Sequence, residues 1–146
     1  MISKFLNIVI LISLVSFSNS LFAAGGIKKS LSREDAEVFI VEPKEGQVVK
    51  NPITIIFGIS NMTLSPAGIK KEYSGHHHLL IDVDELPDMS QPIPADKNHL
   101  HFGKGQSKTT INLEKGEHTL QLLLGDYIHV PHNKAVISDK ITIIVE

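Results

Sequence analysis

The sequence contains no cysteine, and this absence excludes several kinds of chemistry at once. Without thiols the chain can form neither a disulfide framework nor a thiolate metal site. It also lacks a cysteine nucleophile and a cysteine for a lipoprotein lipid anchor. Any functional site must therefore be built from imidazole, carboxylate and hydroxyl groups.

Charge and aromatic content exclude further classes of partner. The formal net charge of -2 provides no basic footprint for neutralising phosphates, so we expect no nucleic-acid partner. Tryptophan is absent and aromatic residues make up 5% of the chain, which argues against a sugar-binding module that works by stacking.

An uncharged, largely apolar run lies at the N-terminus and is short for a membrane anchor. Lys4 precedes this run, Phe5–Val15, and small residues follow at Ala23 and Ala24. A membrane span needs about 20 apolar residues, so the pattern predicts a cleavable signal peptide over residues 1–23. Because a short signal without disulfides is typical of the bacterial periplasm, we expect a periplasmic or secreted protein with no membrane association after cleavage.

The remaining chain has the length of one domain. Residues 24–36 are polar and charge-mixed without apolar periodicity, which predicts a flexible leader. From residue 37 to residue 146, short β-rich runs are separated by turn-forming clusters. We predict strands at Val38–Val41, Ile53–Ile59, His77–Val83, Thr109–Leu113, Thr119–Leu124 and Ile141–Val145.

Apolar alternation in these runs gives the strands an inward face. Every second residue from Ile53 to Ile59 is apolar, and the same holds from Leu120 to Leu124. Such strands in one small domain predict an all-β fold: an immunoglobulin-like antiparallel β-sandwich, with a jelly roll or a small barrel as the alternative. The irregular stretches 61–75 and 85–98 are predicted loops, and loops of that length are uncommon without a function.

The eight histidines all lie between residues 76 and 132. Because strand side chains alternate faces, His76 shares a face with His78, and His99 shares one with His101, at about 6.6 Å along each strand. Two imidazoles at that spacing can converge on one ion. His77 has the opposite parity, that of the core-forming residues after it, which predicts a structural role.

This pattern predicts a metal site. Imidazole binds metals through a neutral nitrogen, usually with acceptors behind the ring that fix its orientation, and we expect Asp82, Asp84, Asp96 and Asp126 to serve as ligands or orienters. Nitrogen and oxygen donors without thiolate favour copper(II) or zinc(II) over copper(I). The candidate metal ligands are His76, His78, His99, His101, His129 and His132.

Other interpretations of the histidines stay open. They can be structural, in a non-enzymatic module that binds a small ligand or a periplasmic protein partner, or they can sense protons near pH 6.5. Three imidazoles with a water can also form a catalytic zinc site for metal-assisted hydrolysis. The chain has no G-x-S-x-G elbow, H-E-x-x-H helix, P-loop or dinucleotide fingerprint, so enzymatic activity is the less favoured interpretation.

Three long motifs closely resemble those of a known family. They are GHHHLLIDVD (Gly75–Asp84), QPIPADKNHLHFGKGQ (Gln91–Gln106) and GEHTLQLLLGDYIHVPH (Gly116–His132). The family is domain-of-unknown-function family 4399, which consists of exported bacterial domains, and the resemblance extends over roughly Glu37 to Glu146. It implies a single, periplasmic, immunoglobulin-like module and brings no established activity with it.

The resemblance also singles out individual positions. Asn133 and Lys134 depart from the family pattern, which commonly continues with prolines there, and this puts the rigidity of the last loop in doubt. The family pattern matches this chain at His76, His77, His78, Asp82, Pro94, Asp96, His99, His101, Phe102, Gly103, His118, Gly125, Asp126, His129, Pro131 and His132.

Overall fold

A computed structural model describes residues 25–146, which form nine β-strands and no helix. The predicted signal peptide, residues 1–23, lies outside the described residues. Across residues 25–146 there is no helix of the length and apolarity that a membrane span requires. The strands are β1 (Glu37–Glu42), β2 (Val48–Val49), β3 (Ile53–Ser60), β4 (Thr63–Leu64), β5 (Ser74–Ile81), β6 (His99–His101), β7 (Lys108–Ile111), β8 (Gly116–Gly125) and β9 (Ile141–Val145).

The strands form two sheets. One sheet has three strands in the order β1–β3–β7, and the other has six in the order β2–β9–β8–β5–β4, with β6 also paired to β5. The pairs β2–β9 and β4–β5 are parallel, and the remaining strand pairs are antiparallel. The prediction of an all-β, mainly antiparallel fold is confirmed.

Both sheets contribute side chains to one hydrophobic core. Ile53, Ile55 and Phe57 of β3 are at most 4% exposed, and the alternate leucines of β8 from Leu120 to Leu124 are fully buried. These side chains belong to a single packed cluster. Full burial of one large apolar side chain contributes about 1.5–3 kcal/mol to folding. The inward faces predicted from apolar alternation are therefore confirmed.

The predicted bounds of β5, the strand that carries three histidines, differ from those in the structure. The prediction His77–Val83 is wrong at both ends, since β5 runs from Ser74 to Ile81. The strand starts earlier because all eight of its residues are buried between neighbouring strands, which overrides the weak strand propensity of serine and glycine. It ends where Asp82 adopts a positive φ of 54°, outside the strand conformation.

Residues 25–36, the described part of the predicted leader, contain no strand. Ser30 Oγ donates a hydrogen bond to Asp126 Oδ2 at 2.6 Å, and Ser32 Oγ donates one to the Lys134 carbonyl at 2.8 Å. The backbone N–H of Asn133 donates to the Ser30 carbonyl at 3.0 Å. These bonds connect the segment to the loop that follows β8.

Candidate metal centre

Strand β5 carries histidines on both of its faces. His77 points into the core, where its ring centroid lies 5.2 Å from that of Phe57. Its burial agrees with the structural role predicted for it. Because strand side chains alternate, His76 and His78 lie on the outer face of the six-stranded sheet.

Four imidazoles from three segments converge on this outer face. His78 lies directly opposite His101 of β6, and His129 comes from the loop after β8. The six centroid distances among the rings of His76, His78, His101 and His129 range from 4.7 to 6.0 Å. One ring nitrogen each from His76, His78 and His101 lies within 4.8 Å of the other two. We call these four residues the histidine cluster.

Two glycines leave the space that the rings occupy. Gly125 pairs with His76 across β5 and β8, and a Cβ at Gly125 would lie 2.6 Å from Cε1 of His78. A Cβ at Gly103 would overlap the ring of His101. The family resemblance singles out both glycines, but the spacing of residues in the sequence does not show that they make room for histidine rings.

His129, the fourth member of the cluster, lies in a loop that is held by hydrogen bonds. The Asp126 carboxylate Oδ1 accepts hydrogen bonds from the N–H groups of Ile128 and Val130, both at 3.0 Å. The N–H of Ile93 donates to the His129 carbonyl at 2.9 Å. His129 itself has a φ of 70°, a conformation that is uncommon outside glycine. The surrounding hydrogen bonds hold it there, as is typical of residues at functional sites.

The two β5 members of the cluster are buried without hydrogen bonds. His76 is 0% exposed and His78 is 1% exposed, and neither nitrogen of either ring has a hydrogen-bond partner. Burial, with the neighbouring imidazoles adding to it, lowers the pKa of His76 to about 4 and the pKa of His78 to about 3. Both rings are therefore neutral at pH 7, and each has one nitrogen with a free lone pair.

Access to the cluster differs from one member to the next. His101 is exposed and His129 is half-buried, whereas the β5 pair is enclosed. Partial burial of the His101 ring still lowers its pKa from the ordinary value, and the nearby imidazole of His129 lowers this pKa further. The cluster thus has two internal imidazoles and two that face towards solvent.

Two of the six predicted ligands lie apart from the cluster. His99 is paired in register with Leu80, and its Nδ1 forms a hydrogen bond of 2.9 Å with Asp96 Oδ1. His132 is fully buried, and its Nε2 donates to the Ser74 carbonyl at 3.0 Å. In the described part of the chain, neither ring is among the tilted and edge-to-face imidazole pairs of the cluster.

The carboxylates near the histidines contact other groups. Asp82 Oδ2 hydrogen-bonds His118 Nδ1 at 2.7 Å, and Asp96 holds His99. Burial lowers the pKa of His118, but the hydrogen bonds to Asp82 and to the Glu114 carbonyl, together with the charges of both residues, outweigh burial and raise that pKa overall. Among residues 25–146, no cluster imidazole hydrogen-bonds a carboxylate.

A comparison with protein families gives a match over residues 55–146 to the family described as Domain of unknown function (DUF4399). This chain belongs to the DUF4399 family. The family assignment inferred from the three motifs is confirmed, and the DUF4399 region contains all the strands and loops that hold the histidine cluster. Among curated proteins and solved structures, no match to the chain was found.

Proposed function

We propose that this domain binds one divalent transition-metal ion through His76, His78 and His101, with His129 as a fourth ligand. The main support is the burial of the β5 pair with every ring nitrogen unpartnered. An unpaired buried polar group costs about 1–3 kcal/mol, and buried polar groups in native proteins are rarely left without a partner. An ion coordinated by these rings supplies a partner for one nitrogen of each.

The spacing of the rings supports coordination by small movements. Metal–nitrogen bonds of about 2.0–2.1 Å place tetrahedral ligand atoms roughly 3.4 Å apart. The closest nitrogens of His76, His78 and His101 lie within 4.8 Å of one another, so coordination of one ion would require only small movements of these side chains. The exposed ring of His101 gives an ion a route from solvent.

The donor set supports copper(II) or zinc(II). Neutral imidazole nitrogens suit both ions, whereas copper(I) prefers thiolate or thioether sulfur. The chain has no thiolate to offer, and its cluster consists of imidazoles alone. We therefore propose copper(II) or zinc(II) as the bound metal.

The same geometry gives metal-assisted hydrolysis less support. A general base beside the metal-bound water accelerates such a reaction. Asp82 and Asp96 are engaged with His118 and His99, and Ser74 Oγ donates to the Lys71 carbonyl at 2.8 Å instead of contacting a histidine. We propose metal binding without catalysis.

Titration of the untagged, chelator-stripped chain with Cu(II) and Zn(II) tests this function. We expect one equivalent to bind, and we expect His101→Ala to weaken the affinity by more than about 100-fold, because loss of a ligand exceeds the usual cost of losing an outer hydrogen bond. His99→Ala is the matched control, since it removes an imidazole two residues away on the same strand. Equal effects of the two substitutions, or binding no tighter than that of a surface-histidine control protein, would exclude the proposed site.

We also propose that the two sheets form the immunoglobulin-like type of sandwich. The antiparallel order β9–β8–β5 corresponds to strands G, F and C of that fold, and the order β1–β3–β7 corresponds to strands A, B and E. This correspondence, together with the shared core, supports the proposal. An experimental structure whose sheets exchange strands as a jelly roll does would contradict it.

For the location of the domain, we propose the periplasm or the medium beyond it. The support comes from the sequence: a lysine, the apolar run Phe5–Val15, small residues at the expected cleavage region and no cysteine. Fractionation of the producing cell, with N-terminal sequencing of the recovered protein, tests this. Recovery from the cytoplasm with Met1 retained would contradict it.

A further inference from the structure

A second candidate site lies in a cleft that contains no cluster histidine. The cleft has a volume of about 510 Å³ and is bordered by the leader, by the segment before β5 and by the loop after β8. We call it the lysine cleft. Its lining includes Lys28, Lys29, Lys70, Lys71, Tyr73 and Tyr127.

The lysines come from two segments far apart in the sequence and form no close ion pair, although the Asp88 carboxylate lies near enough to Lys29 for their charges to interact. In the described residues, none of the four has a carboxylate within 4.0 Å of its ammonium group. Glu72 is the single acidic residue among those that line the cleft. Since the whole chain has a formal net charge of -2, this concentration of positive charge is a local feature and does not reflect a basic composition.

Aromatic rings provide the other recognition element. Lys70 Nζ lies 5.4 Å from the ring centroid of Tyr127, a cation–π contact that leaves the ammonium protons free for an anion. Tyr73 is exposed, and the guanidinium carbon of Arg33 lies 4.8 Å from its ring centroid. The cleft thus combines lysine ammonium groups with the flat rings of two tyrosines.

We propose that the lysine cleft binds a small organic anion that carries at least two carboxylate or phosphate groups on a flat or apolar body. Lysine ammonium groups on flexible stems bind such groups as compact charges. The cleft volume lies within the range of roughly 300–1,000 Å³ that is typical of small-molecule sites, and its concave shape suits an enclosed ligand better than a membrane surface. This inference does not rest on the metal function.

Calorimetric titration of the metal-free full chain at low salt tests the proposal. The probes are benzene-1,3,5-tricarboxylate, benzoate and pyrophosphate. Benzoate has the same ring with fewer charges, and pyrophosphate has several charges without a ring. We expect the tricarboxylate to bind at least about tenfold more tightly than benzoate, since additional charge contacts are formed. We expect pyrophosphate, which has no flat or apolar body, to bind more weakly than the tricarboxylate, and comparable binding of pyrophosphate would contradict the proposed role of that body.

Paired double variants localise the binding. Lys70→Gln with Lys71→Gln should weaken tricarboxylate binding about tenfold, through loss of two ammonium contacts. Lys108→Gln with Lys115→Gln changes the net charge equally outside the cleft and should leave it unchanged, as should His101→Ala. Equal weakening by both lysine pairs, no binding of any probe, or binding to anionic phospholipid vesicles in place of the small anions would overturn the proposal.

Discussion

Gly103 gives the ring of His101 the space that it occupies. Any Cβ at this position would overlap that ring, while the exposed imidazole is free to turn away into solvent. A substitution here should therefore disturb the proposed coordination more than it disturbs folding. The φ of Gly103 is outside the left-handed region, so a side chain brings no backbone strain of that kind.

We expect Gly103→Ala to weaken Cu(II) or Zn(II) binding by at least about tenfold, the range seen when the support of a metal ligand is lost. Thermal unfolding of the metal-free variant should be close to that of the original chain. Gly26→Ala is the control, because a Cβ there meets nothing within 4 Å. Unchanged affinity in Gly103→Ala would show that His101 does not need its present orientation for binding.

The difference between His99 and His101 shows what residue spacing alone can predict. Both lie on one face of β6, as the alternation of the sequence indicates. Only the pairing of β6 with β5 distinguishes them, because it sets His101 opposite His78 and His99 opposite Leu80. That register is a tertiary property, so the sequence predicted the pair of histidines without indicating which one joins the cluster.

Elements were predicted best where local pattern and packing agree. Strand β3 follows its apolar alternation closely, whereas β5 begins at Ser74, where only enclosure by neighbouring strands favours extended structure. Strands β2 and β4 were not predicted, because two residues are too few to form a pattern, and the predicted loop 61–75 is wrong where it contains β4. The extended conformation assumed for His99 and His101 is confirmed by β6. Convergence of the His129 loop on β5 depends on side-chain bracing by Asp126, which no periodicity reveals.

The two faces of the six-stranded sheet have different roles. Its inner face packs against the three-stranded sheet to form the main core, while its outer face carries the histidine cluster at one end. Beside the cluster, Leu80 and Leu123 are covered by Ile93 from the loop 85–98. The packed core thus lies directly behind the strands that carry the proposed ligands.

The buried histidines should make the stability of the whole metal-free protein depend on pH. Burial lowers the pKa of His76 and of His77 to about 4, and that of His78 to about 3, against about 6.5 in the unfolded chain. Between these values the unfolded state binds more protons, so stability is complete above pH 6.5 and falls as the pH decreases towards 4. His101 and His132, whose pKa values are also lowered by burial, act in the same direction. His118, with its raised pKa, acts in the opposite direction and is outweighed by these five groups.

We expect urea unfolding of the stripped protein to show a loss of a few kcal/mol between pH 7 and pH 5. His77→Leu should reduce this dependence, since it removes a buried titrating group that is not a proposed ligand. His118→Gln should increase it slightly by removing the opposing contribution. A free energy of unfolding that stays constant over this pH range would contradict the assignment of neutral, buried imidazoles.

X-ray absorption spectroscopy of the metal-loaded chain tests the central claim most directly, because it reports the donors around the ion itself. Coordination by His76, His78, His101 and His129 predicts three or four imidazole nitrogens at about 2.0–2.1 Å for zinc. In His101→Ala one imidazole should be lost, and in His99→Ala the spectrum should not change. A first coordination sphere of oxygen atoms with fewer than two imidazoles, or identical spectra from all three proteins, would contradict the account.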